Sequence, residues 1–353
     1  MTVKPTRRVL VVDDATIYRH AISQILSSES EIEVVGTAAN GRLALEKIPQ
    51  LRPDIVTLDM EMPEMDGLET LHHLHALYPE IQTIVVSHYT EEGAELTIRA
   101  LQLGAVDFVT KPGKNCSLAE NLQFLREQLL PKIRQLKINP QRRVATAHTP
   151  SRTIKWLVEK PQKKKRELIA IGASTGGPRH LSELFGQFSP GMRQTILIVQ
   201  HMPPLFTEKL AYQLNQVGTV PAKEAEDGEI ITAGRAYIAP GDFHMKVVEK
   251  EGTRRIQLTR EPPENFCRPA VDVLFRSVAT VYGQQAVGVV MTGMGRDGLK
   301  GCEVLKAGGA PVVVQDEATS VVWGMPGHVV RHGLADAIAP IDRLYEAIRM
   351  FIA

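Results

Sequence analysis

Glu167-Leu-Ile-Ala-Ile-Gly-Ala-Ser174-Thr-Gly-Gly-Pro178 joins an apolar, β-branched run to a glycine pair and a proline. The part up to Ile171 has the composition of a buried strand. Pro178 suits the first turn of a helix, where no backbone N–H is required. A strand passing straight into a helix is the repeating unit of a parallel α/β sheet, so this stretch predicts the fold class. It also sets Ser174 on the turn, beside the free N–H groups of a helix N-terminus. Three readings fit that turn. It is a phosphate or dinucleotide loop, although Gly172-x-x-x-Gly176-Gly177 fails the G-x-G-x-x-G fingerprint. It is an inert structural loop. Or it is a nucleophile elbow whose motif differs from G-x-S-x-G.

Outward from this turn, residues 167–353 keep alternating. Ile196–Gln200, Ala236–Ala239, Val287–Met291 and Pro311–Gln315 read as buried strands, and helices are expected after Pro203, Pro269, Gly295 and Ile341. Residues 243–261, with Glu251-Gly252 at their centre, read as an inserted hairpin. Upstream, Val9–Val12, Ile32–Gly36, Asp54–Leu58, Ile81–Val86 and Ala105–Val109 are strand-like, with helices expected from about Ala15, Gly41, Gly67, Glu91 and Ser117. The expectation is two doubly wound parallel-sheet domains of α/β class, a five-stranded one over 7–130 and a larger one with a hairpin over 167–353. Between them, 131–166 reads as a basic flexible linker. Its part from 139 on holds nine Lys or Arg against one acid, Glu159, with prolines at 140, 150 and 161. Within it the short apolar patch Ile154–Val158, with Trp156, is a candidate to dock on a neighbouring domain.

Composition narrows the class. A chain of 353 residues suggests two domains, each with its own core. At 43% hydrophobic, 23% charged and a net charge of +1, nothing pulls it toward nucleic acid or a membrane surface. Cys116, Cys267 and Cys302 are far apart and odd in number, which argues for a reducing compartment and a cytoplasmic protein. The absence of a signal-like start or an 18-residue apolar run argues against direct membrane insertion.

In the first domain Asp13 and Asp14, Asp59, Ser87 and Lys111 all stand at the carboxyl ends of expected strands, where parallel sheets place their ligands. Clustered carboxylates call for a hard cation, and Mg²⁺ with oxygen ligands fits. A carboxylate can accept a phosphoryl group, with a metal and a lysine spreading its charge. The runs Val11-Val-Asp-Asp14, Leu58-Asp-Met-Glu-Met-Pro-Glu-Met-Asp-Gly67 and Asp107-Phe-Val-Thr-Lys-Pro112 make residues 7–130 resemble a response-regulator receiver domain. That resemblance implies Asp59 as phospho-acceptor, Asp13, Asp14 and Asp59 as Mg²⁺ ligands, Ser87 and Lys111 as phosphoryl contacts, and Phe108 as the switch aromatic. It also implies a chemotaxis-type histidine kinase as phosphodonor. His88 departs from the usual small residue after the switch hydroxyl. His72, His73 and His75 are expected to face solvent and hold no metal.

A serine hydroxyl needs a base, and the base an orienting acid. His201 and Asp297 follow strands in the second domain and would share an edge with Ser174. Asp242, Asp272 and Asp316 compete with Asp297, which is favoured by its Gly-rich loop, and His180, His244, His328 and His332 compete with His201. The runs Ile171–Pro178, Gln200–Pro203, Tyr237–Gly241, Arg268–Phe275, Met291–Gly298 and Gln315–Pro326 then make 167–350 resemble the catalytic domain of chemotaxis-specific protein-glutamate methylesterases. The resemblance implies Ser174 as nucleophile, His201 as base, Asp297 as orienting acid, and Thr175 and the backbone near Met294 as oxyanion candidates. It implies hydrolysis of glutamate methyl esters on chemoreceptor helices, glutamine deamidation, no cofactor for that reaction, and a receiver that blocks the esterase cleft until phosphorylated. Cys267 stands where a histidine commonly precedes the arginine. The rival is a regulator whose output domain binds a partner or nucleic acid without catalysis. No helix-turn-helix with a basic recognition helix follows residue 166, so no nucleic-acid partner is expected.

Overall fold

The computed structural model describes residues 6–112, 117–138, 153–158 and 164–352, in two compact units divided near residue 148. In the first unit, five strands alternate with five helices: β1 Arg7–Val12, α1 Thr16–Ser27, β2 Ile32–Ala38, α2 Gly41–Leu51, β3 Ile55–Asp59, α3 Gly67–Leu77, β4 Gln82–Ser87, α4 Glu91–Gln102, β5 Asp107–Thr110 and α5 Leu118–Gln135. The strands pair in parallel in the order β2-β1-β3-β4-β5, the doubly wound arrangement expected. Every residue of β3 is buried, as a strand covered by helices on both faces requires. Short polar caps start α2, α3 and α4: Asn40 accepts from Leu43 N–H, Asp66 from Glu69 N–H and Thr90 from Gly93 N–H. Ser117 and Glu120 form a reciprocal capping box on α5.

The second unit holds β6 Lys155–Trp156, β7 Leu168–Ala173, α6 Gly177–Phe185, β8 Thr195–Gln200, α7 Phe206–Val217, β9 Ala222–Glu224, β10 Ala236–Ile238, β11 His244–Lys250, β12 Thr253–Thr259, α8 Val271–Tyr282, β13 Ala286–Val290, α9 Leu299–Ala307, β14 Val312–Gln315, α10 Met325–Arg331, β15 Ala337–Ala339 and α11 Leu344–Arg349. Eight strands form one sheet in the order β6-β15-β14-β13-β7-β8-β10-β9, parallel except at β6, and β11–β12 is the separate hairpin. The order runs outward from β7 in both directions, so the chain reverses at β7, where open α/β sheets open a crevice. A continuous apolar core lies under it, built from β7, β8, β13 and β14 and faced by Leu274, Phe275 and Val278 of α8.

The expected flexible linker over 131–166 needs correction at both ends. Residues up to Gln135 continue α5. β6 pairs antiparallel with β15, and the Trp156 ring meets Phe351 edge-on, so Trp156 docks on the second unit's own sheet. Arg166 is buried and donates to the carbonyls of Gln284 and Phe351. Ladder hydrogen bonds and one aromatic contact outweigh a local composition that reads as a tether. The remaining linker residues, 139–152 and 159–163, lie outside the described residues, as does Cys116. β9 and β15 went unforeseen because three residues carry no readable period.

Candidate active site

β7 and β8 pair with Ala173 opposite Gln200, so the next residues on the two strands are Ser174 and His201. The His201 N–H donates to the Ala173 carbonyl at 3.2 Å, and the buried Gln200 amide donates to the Ser174 carbonyl at 3.0 Å. On the other side, Ser174 N–H donates to the Thr292 carbonyl at 3.0 Å, in the loop after β13. Gly176 sits at φ 78°, and a Cβ on Gly177 would fall 1.9 Å from Gln200 Oε1. The glycine pair is therefore demanded by the turn itself.

Asp297 is buried in the loop after β13, 2% exposed, with Oδ2 2.8 Å from His201 Nε2. The same carboxylate accepts from the N–H groups of Val271 (2.6 Å) and Asp272 (3.0 Å) at the start of α8, from Gly298 N–H (2.9 Å) and from Asn265 Nδ2 (2.9 Å). Burial alone would raise its pKa, but the bond to His201, that ring's charge and the helix N–H groups prevail and hold it below the usual carboxylate range. Burial likewise opposes charging His201. The Cys267 sulfur against one ring nitrogen and Asp297 against the other outweigh that and push the imidazole up to about 10.

The competing residues are occupied elsewhere. Asp242 pairs with Arg268, and Asp316 accepts from Thr319 N–H and Oγ1. Asp272 is raised to about 6, by burial first, and accepts from Gly301 N–H at 2.7 Å and Asn265 Nδ2 at 2.9 Å. His180 is buried against Gln315 Nε2 and lowered to about 4 by that burial, while His244 accepts from Ala270 N–H and bonds the Pro262 carbonyl. His328 and His332 lie on α10 and at its end. Thr175 is buried beside Ser174, its carbonyl accepting from Thr292 Oγ1, and Met294 is half-buried in the Asp297 loop. Asn265, which bridges Asp272 and Asp297, was not foreseen. Its one signal is an asparagine in a proline-rich turn, a residue that tolerates its φ of 52°.

In the first unit, oxygens of Asp13, Asp14 and Asp59 lie within 4.8 Å of one another. Lys111 Nζ reaches Asp59 Oδ2 at 2.7 Å and Asp13 Oδ2 at 2.9 Å, with the ammonium almost wholly buried. Burial opposes that charge, but Asp59 and Asp13 keep Lys111 above its usual value. Asp13 is pushed up to about 6, by burial and then by the charge of Asp59. One ammonium cannot balance three carboxylates, and the surplus charge on oxygen ligands suits a hard divalent cation such as Mg²⁺. Ser87 Oγ donates to the Gly93 carbonyl at 3.1 Å, Phe108 is buried beneath Lys132 Nζ, and His88 packs edge-on against Tyr18. His75 is exposed on α3.

Residues 169–348 match the CheB methylesterase family, and residues 9–123 the response regulator receiver domain. A protein-glutamate methylesterase/protein-glutamine glutaminase of Trichodesmium erythraeum is 47% identical over 349 residues, 98% of each chain. One of the same name from Pyrococcus abyssi is 41% identical, covering 97% of this chain and 92% of its own. The crystal structure of the Thermotoga maritima CheB methylesterase catalytic domain superposes with a TM-score of 0.51 at 39% identity, over 52% of this chain and 98% of that one. A non-catalytic output domain finds no support among these relatives. With a receiver ahead of an α/β unit that places serine, histidine and aspartate loops on one sheet edge, the chain belongs to the CheB methylesterase family.

Proposed function

We propose that the protein hydrolyses glutamate methyl esters on the cytoplasmic helices of chemoreceptors and deamidates glutamines there, under control of phosphorylation at Asp59. The observation that carries the reading is the 2.8 Å contact of His201 Nε2 with Asp297 Oδ2, one strand away from Ser174. Ser174 Oγ attacks the ester carbonyl carbon while His201 takes its proton through Nδ1. Methanol leaves with that proton. Water, deprotonated by the same ring, then cleaves the glutamyl-serine ester to give the carboxylate and free serine. Asp297 holds the ring and balances its charge. Thr175 and the backbone at Met294 are the candidates to stabilise the oxyanion. A glutamine substrate follows the same course and releases ammonia.

In the receiver, Asp59 takes the phosphoryl group from a chemotaxis-type histidine kinase. Asp13, Asp14 and Asp59 would hold Mg²⁺, which when bound supplies charge neutralisation at the transferring group. Lys111 contacts the phosphoryl oxygens, Ser87 leaves the Gly93 carbonyl to do the same, and Phe108 repacks behind it. The proposed setting is the cytoplasm; no helix among the described residues is long and apolar enough to cross a membrane. The deciding experiment is methanol release from methylated chemoreceptor. Ser174→Ala should lose it by about 10³-fold or more, and full activity in that variant rejects Ser174 as nucleophile.

A further inference from the structure

The sulfur of Cys267 lies 3.5 Å from His201 Nδ1. Nε2 of that ring faces the Asp297 carboxylate, so the neutral imidazole carries its proton on Nε2 and offers Nδ1 as its acceptor. In the proposed mechanism Nδ1 is therefore the nitrogen left to take the Ser174 proton. Among the described residues, the hydrogen bond it makes is to Cys267. The approach of the sulfur is built into the backbone. Asn265 and Phe266 occupy successive left-handed positions, φ 52° and 64°, and Glu264 and Cys267 bond backbone to backbone across them at 2.9 and 3.1 Å. Asn265 pins this turn from inside by donating to Asp297 and Asp272. A strained turn held this firmly beside reacting groups is a feature that structures keep for function.

We propose that Cys267 is a positioning residue for His201: its thiol occupies Nδ1 in the resting protein, and the Ser174 hydroxyl has to displace it before the ester is attacked. The inference rests on the Ser174–His201–Asp297 reading above. A thiol is a far stronger acid than an alcohol, so its proton can pass to Nδ1 and leave a thiolate beside an imidazolium. No covalent bond to carbon changes in that exchange; one proton moves from sulfur to nitrogen, and it returns when the pair separates. While it stays on Nδ1, the ring cannot accept the serine proton, and the competent base is the minor form. The groups facing His201 are Asp297, from the loop after β13, and Cys267. Behind Asp297 stand Asp272 on α8 and Glu264, the latter paired with Arg276 and within the field of Lys300 on α9. The upward shift of His201 agrees with this arrangement.

The test compares wild type, Cys267→Ala and Cys267→Ser in the full chain. Methanol release from methylated receptor is measured from pH 5.5 to 10, alongside an NMR titration of the His201 ring. Serine keeps the hydrogen bond and the size but does not ionise, so it separates proton exchange from packing and serves if the alanine variant folds poorly. Both variants should move the acid limb and the ring titration down by about one pH unit or more, which is roughly tenfold more activity low on that limb, with KM unchanged. Profiles and titrations that superimpose on wild type overturn the proposal. If wild type releases no methanol but the ring titration still moves, the thiol–imidazole pair stands and the esterase reading fails instead.

Discussion

At the scale of single residues, the site depends on where charge is allowed to settle. Asp297 and His201 share a nearly dry corner, and the N–H groups of α8 favour the anion there. Burial opposes charge on the ring, but the Cys267 sulfur and then Asp297 outweigh it and raise the His201 pKa from 6.5 to about 10. A group raised in the folded state adds stability that is complete below its unfolded value and lost as pH climbs through its folded value. The wild-type protein should thus exceed His201→Asn in stability at pH 6.5, by on the order of a few kcal/mol, and the gap should close toward pH 10. Thermal unfolding of both proteins across that range measures it; a gap that stays constant rejects the charged pair. Its place after a strand, and the family resemblance, nominated His201, but Asn265 was hidden. Its role depends on a φ of 52° and on two carboxylates that are remote in sequence until α8 brings them together.

At the scale of elements, the Ser174 turn is a tight packing problem that its sequence solves with glycine. The strand before it is wholly buried, and the helix after it begins at Gly177 with Pro178 inside the first turn. A methyl group on Gly177 would strike Gln200, whose amide holds the Ser174 carbonyl. Gly177→Ala should therefore cost about 1–3 kcal/mol and lower esterase kcat more than it raises KM, because it displaces Ser174, the proposed nucleophile, and not the substrate. Unfolding melts and steady-state kinetics check both halves, and an unperturbed kcat rejects the account. The strands of the first sheet, and β7, β8, β10, β13 and β14 of the second, were legible because each is a short apolar run bounded by turn residues. β6 was not. Two residues in a basic, proline-rich stretch carry no pattern, and β6 exists because β15 offers an unpaired edge.

At the scale of the whole molecule, the chain divides into two compact units, one bearing the carboxylate cluster and one the serine, histidine and aspartate loops. In the proposed function a phosphoryl group on the first governs the second, which is a coupling free energy between separate sites. Asp59→Asn should keep basal methanol release and lose its stimulation by acetyl phosphate with Mg²⁺. A variant stimulated as strongly as wild type rejects Asp59 as the acceptor.

The sequence by itself determined the fold class and the two units, and it nominated the positions proposed to carry the chemistry. Those follow from local matters: apolar period, helix caps, glycine where backbone must turn, and acids or histidine directly after a strand. The tertiary structure alone decided through which nitrogen Asp297 meets His201 and what waits on the other one. Among Asp242, Asp272, Asp297 and Asp316, the Gly-rich loop and the family resemblance already favoured Asp297, but neither says what it touches. The parallel pairing of β13 with β7 and β8 with β7, and the start of α8 behind them, bring Asp297 onto the ring. Contacts between residues 66 and 96 positions apart, Cys267 and Asp297 on the two nitrogens of one ring, are products of packing, and no local pattern encodes them.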